Sequence, residues 1–491
     1  MMTEYLPIVI ILLPIFGSIL IPLVKFKSRR MKCVYTEALV ILNSILVLLT
    51  IITDRQVVCE VIRFTGDLSI SFKMDSLAMV FSGLVAFLWP FATLYSFEYM
   101  KKEEHENIFF MFFVMTYGVT LGIATAEDYI TMYCFYEFLT IVTVPLVMHT
   151  LTREAILASR KYLYYSLGGA AFAFISLIFI IHYGTTNKFV FGGTLNPAAI
   201  GDRTNVLLLI YVLAFFGFGV KAALCPFNSW LPSASVAPTP VTALLHAVAV
   251  VKAGAFAVIR MTYYSFGADF LRGTWAQYVV LSATIVTIVY GCSRALKETH
   301  FKRRLAYSTI SNLSYILFGC ALMSPLGMTG AITHLVFHAL MKITSFFCAG
   351  AVMYQTDRHY VYELNGLGKK MPWTFSIFTV SSLALMGVPG FAGFISKWNL
   401  ASAAVESGEA LAYVGVGALL VSALLTAIYM LSVVIRAFFP DSSFDEKTLA
   451  GCKDPNWIML VPLAVFAAVT LIFGLYSAPF TEFFAKVAAG M

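Results

Sequence analysis

A chain of 491 residues with 60% hydrophobic and only 12% charged side chains lies far from the roughly 25% charged composition of soluble domains. Apolar stretches near the roughly 20 residues that a spanning helix needs recur from end to end, which excludes a soluble enzyme. The formal net charge of +7 is dispersed over short connections, which gives a nucleic-acid surface no support.

In chain order, spans are predicted at about 5–24, 33–53, 76–98, 108–125, 128–150, 162–183, 205–223, 237–262, 275–292, 304–323, 327–354, 372–396, 409–437 and 457–480. The first is read as a retained helix rather than a signal peptide, because Lys25, Lys27, Arg29 and Arg30 follow it instead of preceding it. Between the second and third spans, Val57, Val61, Phe64, Leu68, Ile70 and Phe72 alternate with polar residues and predict a short surface hairpin. Lys and Arg concentrate in the connections after odd-numbered spans, as at Arg153, Arg160 and Lys161 or at Lys302 and Arg303. This bias places those connections in the cytoplasm and both termini outside. Lys302, Arg303 and Arg304 are read as an inner-surface anchor, and Arg260, near a span end, as a snorkelling side chain. The eight cysteines form no C-x-x-C pair and lie mostly in apolar runs, so they are expected to act as small hydrophobes without metal or iron–sulfur ligation.

Against this apolar background stand Glu137, Lys221, Lys252, Lys342 and Lys397, with His334 and His338. A charge near the bilayer centre costs at least ~2.5–3.5 kcal/mol, and residues of this kind usually face a bundle interior and mark ion or proton routes. Glu137 has only Tyr133, Tyr136 and Thr140 as polar sequence neighbours. Desolvation and a nearby lysine push a carboxylate's protonation in opposite directions, so such a pair either toggles or locks helices together as a static brace. Lys252 lies mid-run between Val251 and Ala253, and His246, six residues earlier, need not share its face. His334, His338 and Lys342 fall at i, i+4 and i+8 on one helical stripe. A proton relay is the favoured reading of that stripe; a zinc site and plain interhelical hydrogen bonding are the alternatives.

Two spans are interrupted. The seventh runs from Lys221 into Pro226, with Pro232, Pro238 and Pro240 beyond; the twelfth contains Gly387, Pro389, Gly390 and Gly393, followed by Lys397. A broken helix frees backbone groups that water or a lysine satisfies, and breaks at corresponding places in two halves point to a repeat architecture with ion sites at the breaks. Breaks five spans apart imply inverted copies, spans 4–8 and 9–13. The expected organisation is three N-terminal spans in 1–107, repeats in 108–262 and 263–440, and a last span in 441–491.

Taken together, Phe135-Tyr136-Glu137, Gly219 to Pro226 with Trp230 and Pro232, Ala237 to Pro240 with His246, Val251 to Gly254, Lys302 to Ala306, His334 to Lys342 and Gly393 to Trp398 resemble the antiporter-like subunits shared by respiratory complex I, Mrp-type sodium/proton antiporters and membrane-bound hydrogenases. The resemblance implies fourteen core helices with two inverted five-helix repeats. It also implies a coupling pair of Glu137 and Lys221, a central hydrated path through Lys252 and the His334/His338 stripe, and a far half-channel closed by Lys397. Family members often read Pro-Pro before the second break; Val388-Pro389-Gly390 departs from this and implies a softer break. Lys397 disfavours the complex I member that carries Glu there, and the chain lacks the long C-terminal lateral helix of the largest members. Ser396-Lys397-Trp398 looks most like a D-type Mrp subunit or its ferredoxin- or hydrogenase-linked relatives.

The implied function is translocation of protons, with sodium a possible second ion, inside a multisubunit complex of the bacterial or archaeal plasma membrane. Its partners are other membrane subunits, related antiporter-like subunits among them, and the lipid bilayer. No nucleotide, flavin, quinone or cluster motif is visible, so no cofactor is expected, and any redox chemistry belongs to a peripheral arm of partners. A self-sufficient solute transporter and a structural scaffold are the competing classes.

Overall fold

The computed structural model describes residues 5–53, 57–66, 68–441 and 449–491. Parts of the expected hairpin connection (54–56) and of the expected C-terminal segment (442–448) lie outside the described residues.

The chain is an all-α polytopic membrane protein. Among the described residues, 12 helices are long and apolar enough to cross a membrane. Helices α1 (Leu6–Leu23), α2 (Arg29–Thr53), α3 (Ser76–Tyr99), α4 (Glu106–Ala124), α5 (Tyr129–Val147) and α6 (Arg153–Tyr183) come first. Between α2 and α3 the alternating segment forms an antiparallel hairpin of β1 (Val58–Thr65) and β2 (Leu68–Lys73), as its pattern predicts. There follow α7 (Thr204–Lys221), α8 (Thr239–Ala247), α9 (Val250–Arg260), α10 (Trp275–Lys297), α11 (Phe301–Ala321) and α12 (Pro325–Thr356). The chain closes with α13 (Pro372–Met386), α14 (Ala392–Glu406), α15 (Ala410–Phe438), α16 (Trp457–Leu475) and the amphipathic α17 (Ala478–Ala488). Short helical turns such as Pro197–Ile200, Trp230–Ala234 and Ala268–Leu271 lie in the connections.

Side-chain caps fix several helix starts. Asp75 accepts from the Ala78 amide at 2.8 Å ahead of α3, Asp128 from Thr131 at 2.7 Å ahead of α5, and Ser324 from Gly327 at 3.0 Å ahead of α12. Each satisfies an amide that the first helical turn leaves without a partner.

Two of the expected spans fall outside the set of 12. Helix α11 covers most of the expected span 304–323 but has Lys302, Arg303 and Arg304 in its first turn and carries Ser308, Thr309, Ser311, Asn312 and Ser314, all five buried. The expected span 372–396 is divided between two helices of 15 residues each. Polar residues take α11 out of the apolar class because the helix faces protein rather than lipid.

The core is set by which helices lie inside. The stretch Thr239–Phe266, holding α8, α9 and a wider turn of π-helix, is wholly buried, and so is α12 over residues 327–353. The outer helices α1, α2, α6, α15 and α16 bury less than half of their apolar windows and expose Leu20, Leu49, Tyr164, Leu420 and Ile472. Polar side chains can therefore occupy α9 and α12 without meeting hydrocarbon.

Two basic readings are corrected by this burial. Arg260 does not snorkel: it is 1% exposed, donates to both carboxylate oxygens of Asp75, and is ringed by Phe189, Phe256 and Tyr264. The π-helical turn after α9 continues inside the protein, so the guanidinium meets Asp75 before it meets water. Lys302 and Arg304 likewise tie helices together. Lys302 Nζ donates to the Ala237 carbonyl at 2.9 Å, and Arg304 Nη1 to the Tyr429 carbonyl at 3.1 Å.

The break between α13 and α14 is sharp rather than soft. Gly387 (φ +87°) and Gly390 (φ +88°) both adopt the left-handed region that glycine alone enters freely. The Val388 amide returns to the Leu383 carbonyl at 3.1 Å and the Gly387 amide to the Ala384 carbonyl at 3.0 Å, the closing pattern of a Schellman cap. Two glycines thus replace the Pro-Pro stiffness that the family pattern leads one to expect. At Gly393 a Cβ atom would lie 1.8 Å from the Ala384 carbonyl oxygen, so only glycine lets α14 start against the end of α13. Gly393→Ala is expected to cost more than the ~1–3 kcal/mol of ordinary overpacking and to lower the melting temperature of the detergent-purified protein sharply. Gly417→Ala, whose added carbon meets nothing within 4 Å, should leave melting unchanged or raise it slightly; equal melting of the two variants would refute the steric account.

Candidate functional site

Helix α12 presents His334 and His338 one turn apart and buried, their rings stacked with centroids 5.5 Å apart and planes 12° from parallel. His338 Nδ1 lies 2.5 Å from Lys252 Nζ on α9. His334 Nδ1 lies 2.9 Å from Ser396 Oγ on α14. Next to Ser396, Lys397 turns back across the break and donates to the Leu385 and Met386 carbonyls at 2.6 and 3.1 Å. Those oxygens are ones that the end of α13 leaves without helical partners. Gly387 makes room for this lysine: a Cβ there would lie 3.0 Å from Lys397 Cδ. The Tyr315 ring of α11 bridges the same gap, 5.1 Å from His334 and 5.4 Å from Lys397 Nζ between centres. Lys252, His338, His334 and Lys397 therefore form one polar line across three helices.

Lys342 shares the stripe in sequence but leaves it in space. Its Nζ turns to α11, donating to Ser308 Oγ at 2.6 Å and the Leu305 carbonyl at 3.3 Å, while Tyr429 on α15 donates to the same serine at 2.7 Å. The stripe thus divides: two histidines continue the line, and the lysine opens a branch toward α15.

Lys221, at the end of α7, is buried and donates to the carbonyl oxygen of Tyr136 on α5, with its Nζ 3.4 Å over the centre of the Tyr136 ring. Glu137 is the next residue on α5, half-buried, with Oε1 lacking a hydrogen-bond partner. Among the described residues no ion pair within 4.0 Å joins Glu137 to Lys221. At the first break it is Trp230, through its indole N–H, that donates to the Val220 carbonyl at 2.8 Å, so the two breaks are satisfied differently. Pro226 lies in the turn after Lys221, and Pro389 and Gly390 in the turn before α14. Gly254 lets α9 approach this end of α7, since a Cβ there would lie 2.7 Å from the Ala222 amide nitrogen.

Sequence reading missed a third interruption. Helices α8 and α9 part at Val248 and Ala249, whose amides both reach the Leu244 carbonyl, at 3.1 and 2.9 Å. No Pro or Gly marks the place, and a fixed rotation per residue no longer relates His246 to Lys252. His246 packs on Phe346, ring centroids 4.8 Å apart, with both ring nitrogens unpartnered. Sequence reading also gave no role to Tyr136, Ser308, Tyr315, Ser396 or Tyr429. A signal existed for α11: Ser308, Ser311, Asn312 and Tyr315 repeat at helical spacing inside an apolar chain.

The chemistry of the assembly lies in how its cations are held. Lys221, Lys252, Lys342 and Lys397 meet carbonyl, hydroxyl or imidazole acceptors, and among the described residues none has a carboxylate within 4.0 Å. His334 Nε2, His338 Nε2, Tyr315 Oη, Ser314 Oγ and Asn312 Oδ1 are buried without hydrogen-bond partners along the same line. Among the described residues no three His, Cys, Asp or Glu side chains gather into a metal-binding group.

Residues 126–433, which hold every one of these groups, match the family described as "NADH:quinone oxidoreductase/Mrp antiporter, TM". The chain belongs to this family. Residues 63–110 match a second description, "NADH-Ubiquinone oxidoreductase (complex I), chain 5 N-terminus". NADH-quinone oxidoreductase subunit N of Desulforudis audaxviator is 28% identical, with 97% of each chain covered. Among solved structures, a chain of an archaeal membrane-bound sulfane sulfur reductase superposes with a TM-score of 0.85 at 23% identity, covering 98% of this chain and 97% of that one. A chain of the Mrp complex from Dietzia sp. gives 0.85 at 21% identity, covering 100% and 97%. At such identities the superpositions establish the fold.

The Lys252–His338 contact yields a direct expectation. His338→Phe keeps the ring and its packing but removes the nitrogen that faces Lys252. Ion flux in proteoliposomes should fall by roughly two orders of magnitude, the lower end of what a positioned acid–base group contributes, with the protein level in the membrane unchanged. Flux within a factor of about two of wild type would place His338 outside the path.

Proposed function

We propose that this chain is a proton- or cation-translocating, antiporter-like subunit of a larger membrane assembly, and that Lys252, His338, His334 and Lys397 carry its central path. One observation carries the reading: a line of titratable groups runs from the buried Lys252, His338 and His334 to the half-buried Lys397 and is held by neutral partners. A static brace would pair opposite charges, because a buried charge without its partner is costly. A relay instead needs groups that take up and release a proton without dragging a fixed counter-charge, and imidazole and amine held by neutral acceptors meet that need. The unpartnered polar atoms beside the line suit water-mediated links between its members.

In this proposal the polypeptide crosses the membrane fourteen times, α11 and the pair α13–α14 joining the 12 apolar helices. Spans 4–8 (108–262) and 9–13 (263–440) are inverted repeats, with 1–107 and 441–491 as flanking units. The lysine-bearing interruptions after α7 and α13, five spans apart, support that division. The bias of Lys and Arg supports a cytoplasmic side at the connections after odd spans and both termini outside. The superposed chains come from an archaeal respiratory membrane complex and an Mrp complex, which supports other membrane subunits as partners in a bacterial or archaeal plasma membrane. The likeness to an oxidoreductase subunit supports a redox arm as a driving partner, while the wording at 396–398 supports the Mrp-like branch with sodium as counter-ion. Lys342 and its Ser308–Tyr429 branch lead toward α15, and Lys397 closes the far half-channel.

Glu137 and Lys221 form the toggle in this reading, with the lysine parked on Tyr136 in the state observed. Lys397→Ala should abolish transport while the assembly forms normally. Lys397→Arg should fail too, since guanidinium stays protonated, and retained flux in that variant would mean that a fixed charge suffices. Glu137→Gln should also abolish transport, with the double variant Glu137→Gln/Lys221→Ala no worse than either single one. If the pair were a brace instead, the single variants would lower membrane levels and the double variant would restore them. Normal pH-gradient-coupled transport in Glu137→Gln would end the toggle.

A further inference from the structure

A second polar feature lies away from the central line. A cavity of about 670 Å³ opens between the end of α10, the starts of α6 and α11, and the Ser229–Val236 segment beyond the first break. Every lining residue comes from a connection after an odd-numbered span or from the helix turns beside it, so the cavity opens on one face. That face is cytoplasmic in the orientation proposed above.

The walls are unbalanced in charge. Lys161, Arg294, Lys302 and Arg303 face two carboxylates, Glu154 and Glu298. Glu298 is already engaged, accepting from the His300 amide at 3.0 Å and lying 3.5 Å from Arg303. Among the described residues Lys161 finds only the Ser233 hydroxyl at 3.2 Å, and Arg294 reaches the Tyr307 hydroxyl at 3.4 Å. Arg303 Nε and His300 Nδ1 are buried with no hydrogen-bond partner. Burial, followed by the charges of Arg303 and Lys302, pushes the His300 imidazole down to about 4. Such a surplus of donors repels cations and favours a multiply accepting anion; guanidinium and ammonium groups are the side chains that bind phosphate.

One wall is apolar and faces lipid. Leu157 is 54% exposed at the cavity, and Tyr164, Leu167, Phe174, Ile178 and Ile181 continue an exposed stripe along α6. The volume lies within the range of ordinary ligand pockets, and basic pockets between transmembrane helices on the cytoplasmic side suit anionic headgroups.

We propose that this cleft binds the phosphate of an anionic phospholipid from the cytoplasmic leaflet, with the acyl chains lying along the exposed stripe of α6. The headgroup seats against Ser233, in the segment that follows Lys221, and so braces the first break from outside the conducting line. The headgroup contacts depend only on the observed cavity; the leaflet depends on the proposed orientation.

The test uses the purified assembly in lipid nanodiscs of phosphatidylcholine with rising fractions of phosphatidylglycerol or cardiolipin. Lipid retained after detergent extraction is counted by native mass spectrometry, and thermal stability is followed in parallel. Wild type should retain anionic lipid selectively and melt higher as its fraction rises. Lys161→Gln/Arg294→Gln should bind it about tenfold more weakly, the effect of losing hydrogen bonds to a charged group. Inorganic phosphate added to phosphatidylcholine discs should not reproduce the stabilisation. Equal retention of neutral lipid, undiminished binding in the double variant, or full stabilisation by inorganic phosphate would each overturn the proposal. If the double variant accumulates poorly, the wild-type lipid titration decides alone. Ion flux in phosphatidylcholine discs reconstituted into vesicles reports separately on the central line, so failure here leaves that reading standing.

Discussion

The cost of charge in hydrocarbon orders this molecule from the outside inward. Helices that touch lipid are apolar on their exposed faces, whereas α9 and the buried stretch of α12 carry Lys252, His334, His338 and Lys342. Magnitudes separate these groups. A hydrogen bond to a charged group contributes about 1.5–3 kcal/mol, against a cost of at least ~2.5–3.5 kcal/mol near the membrane centre. Two such contacts offset that cost at Lys342 and at Lys397. Among the described residues Lys252 has a single hydrogen-bonding contact, to His338, and is the least compensated member of the line. Its charge is the one most easily displaced onto a neighbour, and the neighbour it touches is a histidine.

Backbone interruptions perform three different tasks. After α13, two glycines in the left-handed region end the helix and expose carbonyls that Lys397 takes. After α7, a tryptophan N–H takes the freed carbonyl, which leaves the Lys221 amine available to α5. Between α8 and α9 the interruption occurs at Val248 and Ala249, placing Lys252 against His338 across the bundle. Only the third has no special residue to announce it, and its cause is tertiary: α8 and α9 are buried on all sides, so packing can impose a local geometry that the chain alone would not choose.

This difference explains how much was legible in the sequence. Apolar run length marked nearly every helix, alternation marked the hairpin, and Gly or Pro marked two breaks, because each is a local property of the chain. Helix α11 was visible as a span, yet the destination of its serines and Tyr315 was not, since spacing fixes the face of a helix and not the partner opposite it. The same limit hid the divergence of Lys342 from the histidines: a shared stripe brings side chains to one face, after which the serine on α11 and the histidine partners on α9 and α14 compete for direction. Arg260 was misread for a related reason. Its place near a span end suggested water within reach, but Asp75, distant in sequence, caps α3 and takes the guanidinium inside the protein.

The geometry around Lys221 bears on how far the proposed toggle must move. Its present acceptor, the Tyr136 carbonyl, and its proposed partner, the Glu137 carboxylate, belong to adjacent residues of one helix. Adjacent residues differ by about 1.5 Å along the axis and 100° around it. Exchange between the two acceptors therefore needs side-chain rotation of a long, flexible amine rather than displacement of α5 or α7. The aromatic face of Tyr136 lies beneath the ammonium where that arc begins, and a cation over a ring is stabilised there without a fixed counter-charge. A toggle built this way is local, so its coupling to a neighbouring subunit must act on the position of Glu137 or on the segment beyond the first break, the two places where a small push changes which acceptor the lysine prefers.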